Sequence, residues 1–246
     1  MIQVEALTFG YGDEALLEEA SFEVRDGEVF AILGRSGSGK SALLRQLIGL
    51  EQPWSGTIHI DGVGAPRLEV DRAPAFGVMF EQGALLGSLT VGENLALPLQ
   101  HWSDLSPRAV DVVVRAKLRM VGLEHVVEKY PSELSSGMDK RAGIARAQML
   151  EPGLIFLDEP WSGLDPTTAV EIDELIRSLN RDLGTTIVLV SHTLPSIFAV
   201  VDRCVLLDDE SPRLLASGDP RRLRDDAGDA RVRGFFNRTL GAQEDP

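Results

Sequence analysis

Cations are scarce in this chain: 24 Lys and Arg against 38 Asp and Glu leave 246 residues with a net charge of −14. Affinity for nucleic-acid backbones comes from clustered Lys and Arg that release counterions, so this balance argues against a nucleic-acid partner. Cysteine is nearly absent. The single Cys204 sits in the apolar run Cys204-Val205-Leu206-Leu207, cannot close an internal disulfide, and reads as a packing residue in a reducing compartment. No stretch approaches the about 18 uninterrupted apolar residues of a membrane-spanning helix. The start, Met1-Ile2-Gln3-Val4-Glu5, lacks the basic and apolar segments of a secretion signal. These absences predict a cytosolic chain that cannot span a bilayer by itself, and they leave room for a peripheral subunit on a membrane protein. Aromatics make up 6%, and Trp54, Trp102 and Trp161 are scattered and read as packing. What is plentiful is apolar content, 43%, enough for one large α/β domain or two small ones.

Rough alternation over 3–9 and 21–24, around the turn Gly10-Tyr11-Gly12-Asp13, predicts an N-terminal β-hairpin. Short strands are expected at 56–62 and 76–80, the second continuously apolar as a buried strand is. From about 87 to 150 the pattern turns helical, with helices over 108–121 and 138–150. Strand, helix and strand then follow at 154–157, 167–183 and 185–190, the signature of a parallel sheet. A strand pair is expected around Val205 and Leu214, and an Arg/Asp-rich, weakly helical segment from Pro220 to Leu240. No internal repeat is present. The expected organisation is one domain over 1–220, with a helical subdomain of about 86–150 inserted in the α/β core, and a charged extension over 221–246.

Gly34-Arg35-Ser36-Gly37-Ser38-Gly39-Lys40-Ser41 fits G-x-x-x-x-G-K-[ST] between the apolar run 28–33 and a helix-like stretch, 42–50. Glycines let the backbone aim several N–H groups at one anion, and the helix that follows adds its positive end there. The loop, with Ala42 behind it, is expected to bind a nucleotide's phosphates. Leu154-Ile155-Phe156-Leu157 runs into Asp158 and Glu159, which places two carboxylates at the C-terminal edge of a buried strand, where open α/β sheets bind ligands. Asp158 is suited to Mg²⁺ beside the Ser41 hydroxyl, and Glu159 to activating water. Leu134-Ser135-Ser136-Gly137-Met138 opens a helix at 139 and offers a second anion site.

Together these motifs resemble the ATP-binding subunits of ABC transporters over about residues 1–220, with the turn Ser162-Gly163-Leu164-Asp165 and the lone His192 in the family's order. The resemblance implies a P-loop ATPase of ABC type: a parallel-sheet core, an N-terminal antiparallel β part and an inserted helical subdomain. It implies ATP and Mg²⁺, with Tyr11 stacking on adenine and His192 contacting the γ-phosphate. It also implies a homodimer in which Ser135 and Gly137 of one copy close over ATP held by the other, with Asp165 at the seam. Two positions depart from the family's pattern. Ser136 stands where a second signature glycine is usual, and the family's glutamine falls at Gln82, with Glu81 in the ungapped position; Gln82 is assigned the metal and water contact.

The segments 83–86, 89–91, 93–95 and 232–238 are similar to the Mla/Mce-type lipid-transport ATPases. That likeness implies a peripheral subunit on the cytoplasmic face of the inner membrane, driving an integral-membrane permease that moves phospholipid to or from a periplasmic Mce-type protein, with a small accessory subunit as a further partner. Phe235-Phe236 is expected to dock on the partner ATPase subunit or an accessory protein, the plain alternative being a terminal helix folded onto its own domain. An ABC transporter for a metal ion, amino acid or peptide shares every catalytic motif. A soluble, non-transport ABC-type ATPase is the other alternative.

Overall fold

The computed structural model describes residues 1–67, 72–81 and 83–237, so Gln82 and Arg238 lie outside the described residues. The chain forms two compact units, one built from the described residues up to 67 and from 188 onward, the other from those between 72 and 187.

In the first unit, β1 (Ile2–Tyr11) and β2 (Glu14–Val24) pair antiparallel through a tight turn, with Phe9 opposite Leu17 and Val4 opposite Phe22. Ile2 and Val4, then Leu7 and Phe9, are buried in alternation, and the extra residue between Val4 and Leu7 is a β-bulge at Ala6, φ 45°. β3 (Val29–Leu33) is buried at every residue and runs through the loop at 34–39 into α1 (Lys40–Leu47). β4 (Ser55–Ile60) returns to pair antiparallel with β1.

The second unit holds β5 (Gly77–Met79), α2 (Val91–Trp102), α3 (Pro107–Met120), α4 (Ser136–Ala147), β6 (Leu154–Asp158) and α5 (Pro166–Leu183). β5 and β6 pair in parallel, Gly77 opposite Ile155. Helix starts follow from their caps. Thr90 and Glu93 form a reciprocal capping box on α2, Ser106 and Pro107 open α3, and Asp165 and Pro166 open α5. On α3 the four-residue spacing of Val110, Val114 and Leu118 makes one buried stripe, which packs with Leu95, Val126 and Ala142. Burial of each such side chain contributes about 1.5–3 kcal/mol.

β7 (Thr186–Val190) carries the chain back into the first unit, followed by α6 (Leu194–Val200), β8 (Arg203–Leu207), β9 (Leu214–Gly218), α7 (Pro220–Asp226) and α8 (Ala230–Asn237). β8 lies parallel to β3, and β9 pairs antiparallel with β8. Among the described residues no helix is long and apolar enough to cross a membrane.

Three details differ from the sequence reading. α4 begins at Ser136, ahead of residue 139, because the Ser135 hydroxyl accepts from Met138 N and starts the helix there. Trp54 is 48% exposed beside Gly10, while Trp161 is buried. Phe236 is buried in its own chain, its ring 6.1 Å from that of Phe198.

Cys204 is fully buried on β8, and burial pushes its thiol up to about 12. Only a thiolate reacts readily, so the native protein should show no thiol accessible to a chromogenic disulfide reagent at pH 8, and one after denaturation. Rapid labelling of the native fold would contradict this placement.

Candidate active site

The phosphate-cradling motif is an open loop at the C-terminal end of β3. A Cβ on Gly34 would stand 2.3 Å from Ser38 Oγ, so the loop closes on itself only with glycine there. Gly39 occupies the N-cap of α1 at φ 89° and carries no side chain, so the positive end of the helix faces the loop. Lys40 is buried and its ammonium donates to the Arg35 carbonyl at 2.8 Å, across the base of the loop. Ser38 Oγ is buried with no hydrogen-bond partner among the described residues. A buried cation, an orphaned hydroxyl and a helix N-terminus in one glycine-rich loop fit a phosphate chain. Arg35, Ser36 and Gly37 are exposed, and the Arg35 guanidinium is held by Asp209 at 2.7 Å.

The same unit brings two more predicted residues toward this loop. Ser191 N donates to Ile32 O, which sets His192, exposed just past β7, on the sheet edge from which the loop leaves. Tyr11 is half exposed, and its hydroxyl accepts from Arg45 Nη1 on α1 at 3.1 Å and lies 3.4 Å from a Glu51 carboxylate oxygen. The ring is thereby tied to the helix that follows the loop.

In the second unit, Asp158 and Glu159 are both buried at the C-terminal end of β6, as their sequence position predicts. Glu159 holds φ 46°, a left-handed conformation uncommon for a residue with a side chain, and its carbonyl accepts from Ser162 N at 3.2 Å. Glu81 belongs to the same neighbourhood, since its charge acts on Lys140, as do those of Asp158 and Glu159.

The signature segment meets the Ser162–Asp165 turn. Ser136 Oγ lies 3.5 Å from Gly163 O, and a Cβ on Gly137 would stand only 2.3 Å from Thr168 Cγ2. Thr168 is itself pinned, because Asp165 accepts from its N–H and its hydroxyl. Those bonds, the hydroxyl first, hold the Asp165 carboxyl below its ordinary range. Ser136 opens α4 in ordinary helical backbone, where glycine has no advantage, so the departure at 136 costs no strain within the chain.

Two side chains that motif reading passed over also act here. Lys140 Nζ donates to Glu159 O at 2.7 Å, and Arg146 donates to Ala84 O at 2.9 Å and lies 3.5 Å from Gly83 O. Both lie on α4 beyond the motif itself. The available signal was a pair of cations on a helix face otherwise lined by Gly and Ala. Among the described residues no group of three or more His, Cys, Asp or Glu side chains is arranged to hold a metal.

Gly137→Ala should cost about 1–3 kcal/mol through the clash with the pinned Thr168, whereas Ser136→Gly should leave stability nearly unchanged. Thr168→Ser, which deletes the offending methyl and keeps the hydroxyl, should recover most of the Gly137→Ala loss. Denaturant melts of the two single variants and the double variant check this, and equal losses with and without the Thr168 methyl would refute the clash.

A family model described as ABC transporter matches residues 17–162, which include the loop, the signature and both strand-end carboxylates. The chain is 37% identical over 241 residues to a probable ribonucleotide transport ATP-binding protein, mkl, of Mycobacterium leprae, covering 96% of this chain and 68% of that protein. It spans 66% of the length of the Mycobacterium tuberculosis counterpart. Against the intermembrane phospholipid transport system ATP-binding protein MlaF of Escherichia coli K12 it is 36% identical over 241 residues, 96% of this chain and 88% of that one. A dimeric ATP-binding cassette solved in a post-hydrolysis state with ADP and Pi matches with TM-score 0.79 and 29% identity, covering 89% of this chain and 98% of that one. This chain belongs to the ABC transporter family, as one of its ATP-binding cassettes.

Proposed function

We propose that the chain is the ATP-hydrolysing subunit of a transporter, acting as a homodimer that clamps two ATP molecules and drives an integral-membrane permease. The observation that carries this is the loop at 34–41: its glycines, the buried Lys40 folded back across it, the Ser38 hydroxyl and the helix N-terminus behind it suit a phosphate chain. In this reading Lys40 and the amides of Gly34 to Ala42 bind the phosphates, and Tyr11 stacks on the base. Ser41 and Asp158, with Gln82, would hold Mg²⁺, which when bound neutralises charge on the β- and γ-phosphates. Glu159 takes the proton of the attacking water, and His192 contacts the γ-phosphate. Ser135 and Gly137 of the second copy close over that phosphate, and Asp165 lies at the seam. Closure follows from contacts that exist only in the closed pair.

For the cargo we infer phospholipid, handed between the inner membrane and a periplasmic Mce-type protein, with the chain peripheral on the cytoplasmic face and a small accessory subunit in the complex. Two observations support this. The phospholipid-system relative is matched over nearly its whole length, 88%, and over the part of this chain that includes the segments at 83–95. That segment is also shaped as a docking element. Asn94 is fully buried, accepts from Leu86 N, and donates to the carbonyls of Leu86, Leu89 and Thr90, so the loop is stapled while Leu86 stays 49% exposed.

Glu159→Gln should retain ATP binding, lower turnover by about a hundredfold or more, and favour a nucleotide-trapped dimer on gel filtration. Lys40→Ala should weaken ATP binding by about tenfold or more, because the cation on the phosphates is gone. Turnover near the parent value in Glu159→Gln removes that residue from its role. For the cargo, the complex purified from membranes should move labelled phospholipid between vesicles only with ATP. Stimulation of its ATPase by methionine or a ribonucleotide and not by phospholipid would discard the lipid reading.

A further inference from the structure

Lys140 is 2% exposed, on the helix that the signature opens, one turn beyond Gly137. A buried ammonium is costly, and it persists only where acceptors and counter-charges surround it. Its acceptor here is the main-chain carbonyl of Glu159 at 2.7 Å, in a wholly buried contact. The carboxylates whose charges act on it are Glu81, Asp139, Glu159 and Asp158; burial lowers its pKa and those four oppose the shift. Three of the four are the acids at the end of β6 and the one after β5, where the nucleotide chemistry is assigned.

The contact falls where the backbone is strained. Glu159 at φ 46° is in a region that disfavours side chains, and such a conformation lasts only when the surroundings over-determine it. Its carbonyl is fixed from two sides, by Ser162 N at 3.2 Å and by the Lys140 ammonium. This φ decides where the Glu159 Cα–Cβ bond points, and therefore where its carboxylate lies.

We propose that Lys140 is a positioning residue for hydrolysis: reaching across from the signature helix, its ammonium locks the left-handed kink at Glu159 and so aims the carboxylate that activates water. The proposal rests on the reading of Glu159 given under Proposed function. It predicts a defect in turnover and not in nucleotide binding, because the phosphate cradle belongs to the other unit.

The test is steady-state ATPase kinetics and equilibrium ATP binding on the full chain in complex with its permease, for Lys140→Met, Lys140→Arg and Lys140→Gln, with Glu159→Gln alongside. Lys140→Met should lower kcat about tenfold to a hundredfold, the scale on which misplaced catalytic groups act, with KM and ATP affinity within about twofold of the parent. Lys140→Arg or Lys140→Gln, which keep an N–H donor, should recover part of that kcat. Lys140→Met within about threefold of the parent, a loss carried by KM, or no recovery with either donor would overturn the proposal. If Lys140→Met does not fold, the shorter donor-free Lys140→Ala takes its place: lowered kcat at unchanged KM supports the proposal, and a parent-like kcat or a loss carried by KM overturns it. Glu159→Gln keeps the two failures apart. Parent-like turnover in that variant defeats the reading of Glu159 itself, whereas an inert Glu159→Gln beside a parent-like Lys140→Met defeats only the role of Lys140.

Discussion

The close approach of α4 to its neighbours is the constraint on which the second unit depends. A Cβ on Gly143 would stand 2.9 Å from both Gly83 Cα and Gly83 O, so helix and loop meet backbone to backbone. Gly137 meets Thr168 as tightly at the other end. With no side chains to hold them apart, the cations of the same helix reach main-chain carbonyls directly, Lys140 at Glu159 and Arg146 at Ala84. One helix thereby fixes the strand-end glutamate, the loop after β5 and the turn that carries Asp165. Close packing of this kind transmits small displacements because the interior has no slack to absorb them.

A chain with net charge −14 keeps its few buried cations at places with strong local acceptors. Lys40 and Lys140 both end on carbonyls that also accept from the N–H three residues on, and Lys117, also buried, pairs with Glu151 at 3.1 Å. The surface pairs matter less for stability, since exposed ion pairs contribute about 0–1 kcal/mol. Some of them organise the first unit nonetheless. Asp209 restrains Arg35 of the phosphate loop, while its neighbour Asp208 is gripped by Arg231 of α8 at 2.9 Å. The acidic turn after β8 thus lies between the loop and the tail helix. α8 is anchored on its other side by Phe236 against Phe198 of α6. The described part of the tail is therefore spent on its own domain, as the apolar content of Val232 and Phe236 requires.

In the second unit α3, α4 and α5 were legible from their apolar period and their place between strands, whereas α2 was not separated from the helical run that opens at about 87. Its start is set by a local capping box of Thr90 with Glu93, as Ser106 with Pro107 and Asp165 with Pro166 set those of α3 and α5. The fully apolar strands β3, β6 and β7 were equally plain, since a strand covered on both faces has no reason to alternate. Less legible were the short α6, too brief for a period to emerge, and the exposure of Trp54, which depends on what crosses β1 at Gly10. The same limit applies to Ser136. Its sequence context marks a departure from a glycine, and only the helical backbone shows that a side chain is tolerated there.

By itself the sequence determined the phosphate loop, the strand-end acids and the signature, because each is a contiguous run whose chemistry is set by neighbours along the chain. The tertiary structure alone decided that Lys140 reaches Glu159, 19 residues away, and that Arg146 holds Ala84, 62 residues away. Those contacts exist because glycines on α4 let backbones touch, and no spacing rule encodes which distant carbonyl a long side chain will find once the helices have packed.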